Sequence, residues 1–259
     1  MNLSIHSRLV YDYFQATDVL VQVEAAHLPD QTIDQPELWL TPVTHFVRVP
    51  GHDELGERIW LRVEGRMELD YRAKVMVDRP AVDIAYLPAT DPRWLPGEVI
   101  DYLMPSRFCP SDRFFEFVSG EFGGLRGGAC VAALTEWVSE RMTYVPGASH
   151  SGTCATDTFI ARQGVCRDYA HLLIALVRAA SIPARYASVY APDVDPPDFH
   201  AVAEVFLDGA WHLVDATGMA GAADIARIGV GRDAADTSFL SSFGQAALVE
   251  QFVTVERVS

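Results

Sequence analysis

The dipeptide Asp208-Gly209 separates two runs of strand-forming residues, one over 199–207 and the other over 210–215. Asp-Gly is a signature of the two-residue type I′ turn, whose central residues both take positive φ and whose twist matches the flanking strands. A hairpin follows with Leu207 opposite Ala210, and the register of the whole ribbon follows with it, because a one-residue slip would turn every side chain to the other face. In that register Val202 faces Asp215 and His200 faces Thr217. His200 and Asp215 are then diagonal neighbours on one side, within reach of long side chains. His212 falls on the opposite face.

Upstream of the hairpin, Leu172, Leu173, Ile174, Leu176 and Val177 make a helix that is apolar almost all round and stops before Pro183. That pattern marks a central, buried helix. It starts near Cys166, after Gly164-Val165, where free backbone N–H groups and the positive end of the helix dipole favour a thiolate over a thiol. Cys166 is therefore the candidate nucleophile, His200 the base and Asp215 its orienter. His171 lies five residues along the helix and is turned away from Cys166. Asp168, in the first turn, is placed to meet the dipole, a structural role. Glu204 shares the His200 face by alternation and is a secondary candidate, expected to be semi-buried with a hydrogen-bonding partner.

The amino-terminal third reads differently. Met67, Leu69, Tyr71, Ala73, Val75 and Val77 alternate with Glu68, Asp70, Arg72 and Lys74, the period of a half-buried strand. Val19, Val21, Val23 and Ala25 repeat the pattern, as do Ile59, Leu61 and Val63, and Glu64-Gly65 is expected to turn one strand into the next. An antiparallel β-sandwich over residues 1–100 accounts for these runs. Prolines at 80, 88, 92, 96, 105 and 110 then interrupt regular structure and place a boundary near 100. Beyond it, Ser111 is expected to cap a short helix presenting Phe114, Phe115 and Val118. Val131, Leu134, Val138 and Met142 recur at helical spacing. Helices followed by an antiparallel sheet make residues 101–259 an α+β unit. The amino-terminal unit shows no cluster of titratable groups assignable to chemistry, which leaves it the roles of positioning substrate, covering the cleft or mediating oligomerisation.

A formal net charge of -15 sets up a field that repels phosphate backbones and anionic lipid, so nucleic acid and membrane surfaces are poor partners and cationic or neutral substrates fit better. Residues 1–8 lead into a stretch holding Asp12, Gln15 and Asp18 with no apolar core of a signal peptide. Nor is there a run of about 18 apolar residues. The four cysteines, Cys109, Cys130, Cys154 and Cys166, lack paired spacing, as expected of reduced thiols in a cytoplasm. A zinc site would have to combine them with His150, His171, His200 or His212 across irregular intervals, and no metal or cofactor is expected. Ser149 lacks the second glycine of a nucleophile elbow.

The order and spacing of Gly164-Val165-Cys166-Arg167-Asp168-Tyr169-Ala170, Ile182-Pro183-Ala184-Arg185, His200-Ala201-Val202-Ala203-Glu204-Val205 and Trp211-His212-Leu213-Val214-Asp215 resemble the transglutaminase-like superfamily. The resemblance covers residues 144–217 with specific motifs, and more loosely the whole chain resembles bacterial members with an amino-terminal β domain; residues 102–112 and 227–233 also look familial. It implies a papain-like core in which Cys166 attacks a carboxamide carbon, His200 takes the thiol proton and returns it to the leaving amine, and Asp215 holds the imidazole. The oxyanion needs the Cys166 N–H and a second donor, expected from residues 149–158. Val202 stands where the family usually shows tryptophan, Ala216 where proline is frequent, and Ser181 where glycine commonly precedes Ile-Pro. Loss of the tryptophan would bear on the acyl pocket, hence on substrate class. The expected activity is cleavage of an amide or peptide bond through a thioester. A transamidase resolving the same thioester with an amine, and an inactive binding or assembly module, are the alternatives.

Overall fold

The computed structural model describes residues 1–258. Two very long strands dominate the amino-terminal region: β1 (Asn2–Val21) and β4 (Glu57–Val77), with β2 (Gln31–Leu40) and β3 (His45–Pro50) between them in sequence. The expected turn at Glu64-Gly65 does not form. Gly65 takes φ of +74° inside a strand that continues, and the ladder with β1 shifts register opposite it, between Tyr13 and Thr17. The extra residues lie on β1, where Phe14, Gln15 and Ala16 stand opposite Glu64, and positive φ at Gly65 lets β4 run on past that bulge.

After β4 comes a span of short 3₁₀ turns, then α1 (Phe115–Phe122), α2 (Gly127–Arg141), β5 (Thr143–Tyr144), α3 (Ala155–Ala161), β6 (Gln163–Gly164) and α4 (Cys166–Ala179). Ser111 does not cap α1: it is buried within a 3₁₀ turn that runs into that helix, and Phe115 points outward, 52% exposed. Strands β7 (Ala184–Tyr190), β8 (His200–Leu207), β9 (Ala210–Val214) and β10 (Ala226–Gly231) build a four-stranded antiparallel sheet in the order β10-β7-β8-β9. Asp208 and Gly209 take φ of +50° and +76°, and Leu207 pairs with Ala210. The ladder ends at Ala203–Val214, so Asp215 leaves the strand one residue beyond its last pair.

Helix α4 is apolar all round because it has neighbours all round. One side lies on Ala201, Ala203, Val205 and Leu207 of β8, and the others meet α2 and α3. Leu172, Leu173, Ile174, Leu176 and Val177 are all fully buried, at about 1.5–3 kcal/mol each. Arg178, also buried, donates to the carbonyls of Ala184, Met104 and Arg232 and to Ser106 Oγ.

The chain ends in β11 (Leu240–Ser242) and β12 (Ala246–Val258), and both pair with β1. This corrects the division at residue 100: the amino-terminal sheet has six strands and two of them come from the carboxy terminus. It is also one continuous hydrogen-bonded sheet rather than two facing ones. Its buried face, with Leu3, Ile5, Leu61 and Leu69, packs on Tyr190, Phe199, Ala226 and Ile228 of the second sheet region. The two units share a core, and both ends of the chain lie in the first sheet, with the second unit inserted between them.

Candidate active site

Cys166 is the first residue of α4. The Asp168 carboxylate accepts the Val165 N–H at 2.8 Å, closing the first turn over the thiol. A Cβ on Gly164 would stand 2.6 Å from Asp168 Cβ, so this cap requires glycine two residues before the cysteine. Asp168 is thus structural, as its helix position implies. The short parallel bridge between β5 and β6 sets Tyr144 beside Gly164. Burial first, and then the charge of the neighbouring Cys166, push the Tyr144 pKa up to about 12.

His200 opens β8 and is buried. Its Nε2 lies 2.9 Å from Asp215 Oδ2. An ionised carboxylate can only accept, so Nε2 carries the proton and, in the neutral ring, Nδ1 offers a lone pair. Nδ1 is buried without an aligned hydrogen-bond partner, and the group that interacts with the ring besides Asp215 is the Cys166 thiol. Burial pulls the His200 pKa down, but Asp215 and Cys166 outweigh it and raise the value to about 9. Asp215 is fixed in turn: Oδ1 accepts the Thr217 N–H at 2.9 Å and its hydroxyl at 2.7 Å, while Oδ2 also accepts the Ala220 N–H at 2.9 Å. Burial raises its pKa, but the His200 and Thr217 bonds hold the carboxyl below its ordinary value. The structure therefore brings Cys166, His200 and Asp215 together, although the ladder stops short of the residues that set their register.

A cleft of about 580 Å³ opens over Cys166 and His200. Arg107, Phe108 and Arg167 line one part of it, and Asp198 and the segment leading into β11, including Phe239 and Ser242, line another. Of the segment expected to supply an oxyanion donor, Ser151 reaches this cleft, while Tyr144, just upstream, lies beside Cys166. No spacing rule finds Tyr144; only the β5–β6 bridge does.

The remaining candidates separate cleanly. Glu204 is fully buried away from the cleft, 2.7 Å from Arg185 Nε and 2.9 Å from Arg227 Nη1. Arg185 also meets Asp53 at 3.0 Å, and Arg227 meets Asp30, which pairs with Arg79 at 2.6 Å. This network joins the two sheets, and it gives the Ala184-Arg185 and Arg227 motifs a structural purpose. His171 is buried, stacked on Phe108 and accepting the Ala234 N–H, with its pKa driven well down by burial. His212 contacts the Leu207 carbonyl. Val202 sits in a buried apolar cluster with Val189, Leu213 and Ile225 and does not line the cleft, so its departure from tryptophan acts on packing rather than directly on a ligand.

An antiparallel sheet that carries histidine and carboxylate, faced by a buried helix beginning at a cysteine, defines the papain-like class of core. Within that class the chain belongs to the transglutaminase-like superfamily. Residues 125–216 match the model described as the transglutaminase-like superfamily. The crystal structure of a candidate cysteine protease from Cytophaga hutchinsonii superimposes with a TM-score of 0.94 at 34% identity, covering 99% of this chain and 90% of that one. Its coverage extends the likeness to the amino-terminal sheet. Among curated proteins, an uncharacterized protein of Mycobacterium leprae is 28% identical over 116 residues, 42% of this chain and 42% of its own length. An uncharacterized protein of Mycobacterium tuberculosis is 35% identical over 72 residues, 28% of this chain and 23% of its own. The matched stretches span less than half of these relatives.

Proposed function

We propose that the protein is a cysteine-dependent hydrolase of an amide or peptide bond. The observation that carries the proposal is the orientation of His200: Nε2–H bound to a four-times hydrogen-bonded carboxylate, with the other face of the ring turned to a thiol at a helix start. The thiol proton passes to Nδ1 and the sulfur attacks the carbonyl carbon. The oxyanion meets the Cys166 N–H at the helix start, with the neighbouring Tyr144 hydroxyl as second donor. The C–N bond breaks as Nδ1–H protonates the amine, leaving a thioester. Water then attacks the thioester, gives its proton to Nδ1, and releases the acid and the thiol. The histidine is held near 9, so the proton that Nδ1 takes from the thiol stays on the ring until the amine leaves.

All four cysteines are unpaired, which supports a reducing compartment such as the cytoplasm. The test is intact mass spectrometry after exposure to a panel of amide and ester acyl donors, with turnover measured in parallel. Cys166→Ala should lose both the adduct and iodoacetamide-sensitive turnover. Turnover that survives in Cys166→Ala sinks the proposal. A labelled amine added to the wild type separates hydrolysis from transamidation, since an amide product appears only in the latter.

A further inference from the structure

The net charge of -15 favours neutral or cationic substrates, yet the wall beside Cys166 has the opposite sign. Arg107 and Arg167 both line the cleft, and both guanidinium groups lie over the same ring, Phe108, at 4.8 and 5.6 Å from its centroid. That ring is buried and held: the Phe108 N–H donates to Asp233 at 2.8 Å, its carbonyl accepts the Ala155 N–H, and the neighbouring Ser106 is bound by buried Arg178. The two cations are therefore mounted on a rigid platform.

They are also underused by the fold. Arg8, Arg66, Arg185 and Arg257 each meet a carboxylate, whereas exposed Arg107 meets none among the described residues. Arg167 gives one N–H to the His150 carbonyl and stays 3.9 Å from Asp168 Oδ1, beyond hydrogen-bond distance, while Asp168 Oδ2 is engaged at the helix cap. The other carboxylate of the cleft, Asp198, accepts from the Phe199 N–H and from Gln251, and its pKa is raised by burial. Asp215 is behind the imidazole. On the Arg107–Phe108–Arg167 side the cleft wall is lined by cations, with Asp198 on another part of the lining, and at short range these cations outweigh distant surface carboxylates that salt screens over about 10 Å.

We infer that the cleft selects an acyl donor bearing a carboxylate close to the scissile amide, bound by Arg107 and Arg167. A planar guanidinium pairs bidentately with such a group. This inference rests on the hydrolase reading and narrows it to acidic peptides or amides.

Two measurements test it. In the first, matched peptide amides carry Glu, Ala or Lys in the residue that supplies the acyl group. The wild type should prefer Glu over Lys by about tenfold or more in kcat/KM, less so at high salt, and Arg107→Glu should abolish or reverse the order. The second compares alkylation of Cys166 by iodoacetate and by iodoacetamide, which needs no turnover; the ratio of the two rates should fall in Arg107→Gln. Equal use of Glu and Lys donors by an active wild type overturns the inference and leaves the hydrolase reading intact. An alkylation ratio unchanged in Arg107→Gln also overturns it. No turnover of any donor, together with a ratio that falls in the variant, sinks the hydrolase reading while the anion site stands.

Discussion

Replacing Glu204 with alanine should strip the common partner from two buried guanidinium groups. Glu204 Oε2 is 2.7 Å from Arg185 and Oε1 is 2.9 Å from Arg227, and all three side chains are largely out of water. Removing one member of a buried ionic set costs about 3–5 kcal/mol, because a desolvated charge is left uncompensated. Here each arginine keeps a second carboxylate, Asp53 at 3.0 Å or Asp30 at 2.8 Å, so the loss belongs near about 3 kcal/mol, the low end of that range. For a chain of this size about 2–4 °C in Tm accompanies each kcal/mol, giving a drop of roughly 6–12 °C. Calorimetry and urea titration of wild type and Glu204→Ala measure it. Iodoacetamide alkylation of Cys166, well below Tm, should stay within about twofold of wild type, since tenfold corresponds to 1.4 kcal/mol and Glu204 does not line the cleft. A loss under about 1 kcal/mol, the scale of an exposed ion pair, would show that the network is solvated and does not lock the sheets together. Lost alkylation in a stable variant would instead put Glu204 in the catalytic machinery.

The His200 pKa of about 9 exceeds its unfolded value of about 6.5, so the residue stabilises the fold fully below pH 6.5 and the contribution vanishes as pH rises through 9. The difference amounts to about 3 kcal/mol, and urea midpoints between pH 6 and 10 should fall further in wild type than in Asp215→Asn; parallel curves would refute the raised value. A chain ending at Phe239 loses β11 and β12, which cover β1 from Asn2 to Tyr13 and from Val19 to Val21. It should lose its cooperative thermal transition, and an unchanged Tm would contradict the shared-core architecture.

Local chemistry made much of this legible from residues alone. Asp208-Gly209 fixes a hairpin because only a few residue pairs tolerate two successive positive φ values, and the observed pairing of Glu204 with Leu213 follows from it. Cys166 at a helix start was legible from the apolar run behind it and the glycine before it. What the chain hides is whatever depends on contacts distant in sequence. Glu64-Gly65 has the composition of a turn, but pairing along β1 on one side and β2 and β3 on the other holds β4 straight through it, so tertiary hydrogen bonding overrides the local signal. The affiliation of β12 with β1 joins residues from opposite ends of the chain, such as Asn2 with Val258, beyond any periodicity argument. Tyr144 escapes for the same reason, being placed by a two-residue bridge to Gly164.

That long-range closure bears directly on the site. Strand β11 pairs with Leu20 through Ser241, and Ser241 and Ser242 are cleft residues. The part of the cleft wall that β11 supplies is thus suspended from the amino-terminal sheet, while Cys166 and His200 belong to the other unit. Gln31 links the two again, donating to the Arg227 carbonyl and accepting the Arg227 N–H. Positioning of substrate relative to Cys166 then depends on how firmly the sheets are held, which is the work of Glu204 and its arginines. Weakening that network without unfolding the protein, as Asp30→Asn should, ought to raise KM for an acyl donor more than it lowers kcat, because Cys166 on α4 and His200 and Asp215 on the β8–β9 hairpin belong to elements packed on each other and only the other wall can shift. An equal fall in kcat with KM unchanged would place the coupling in the triad itself.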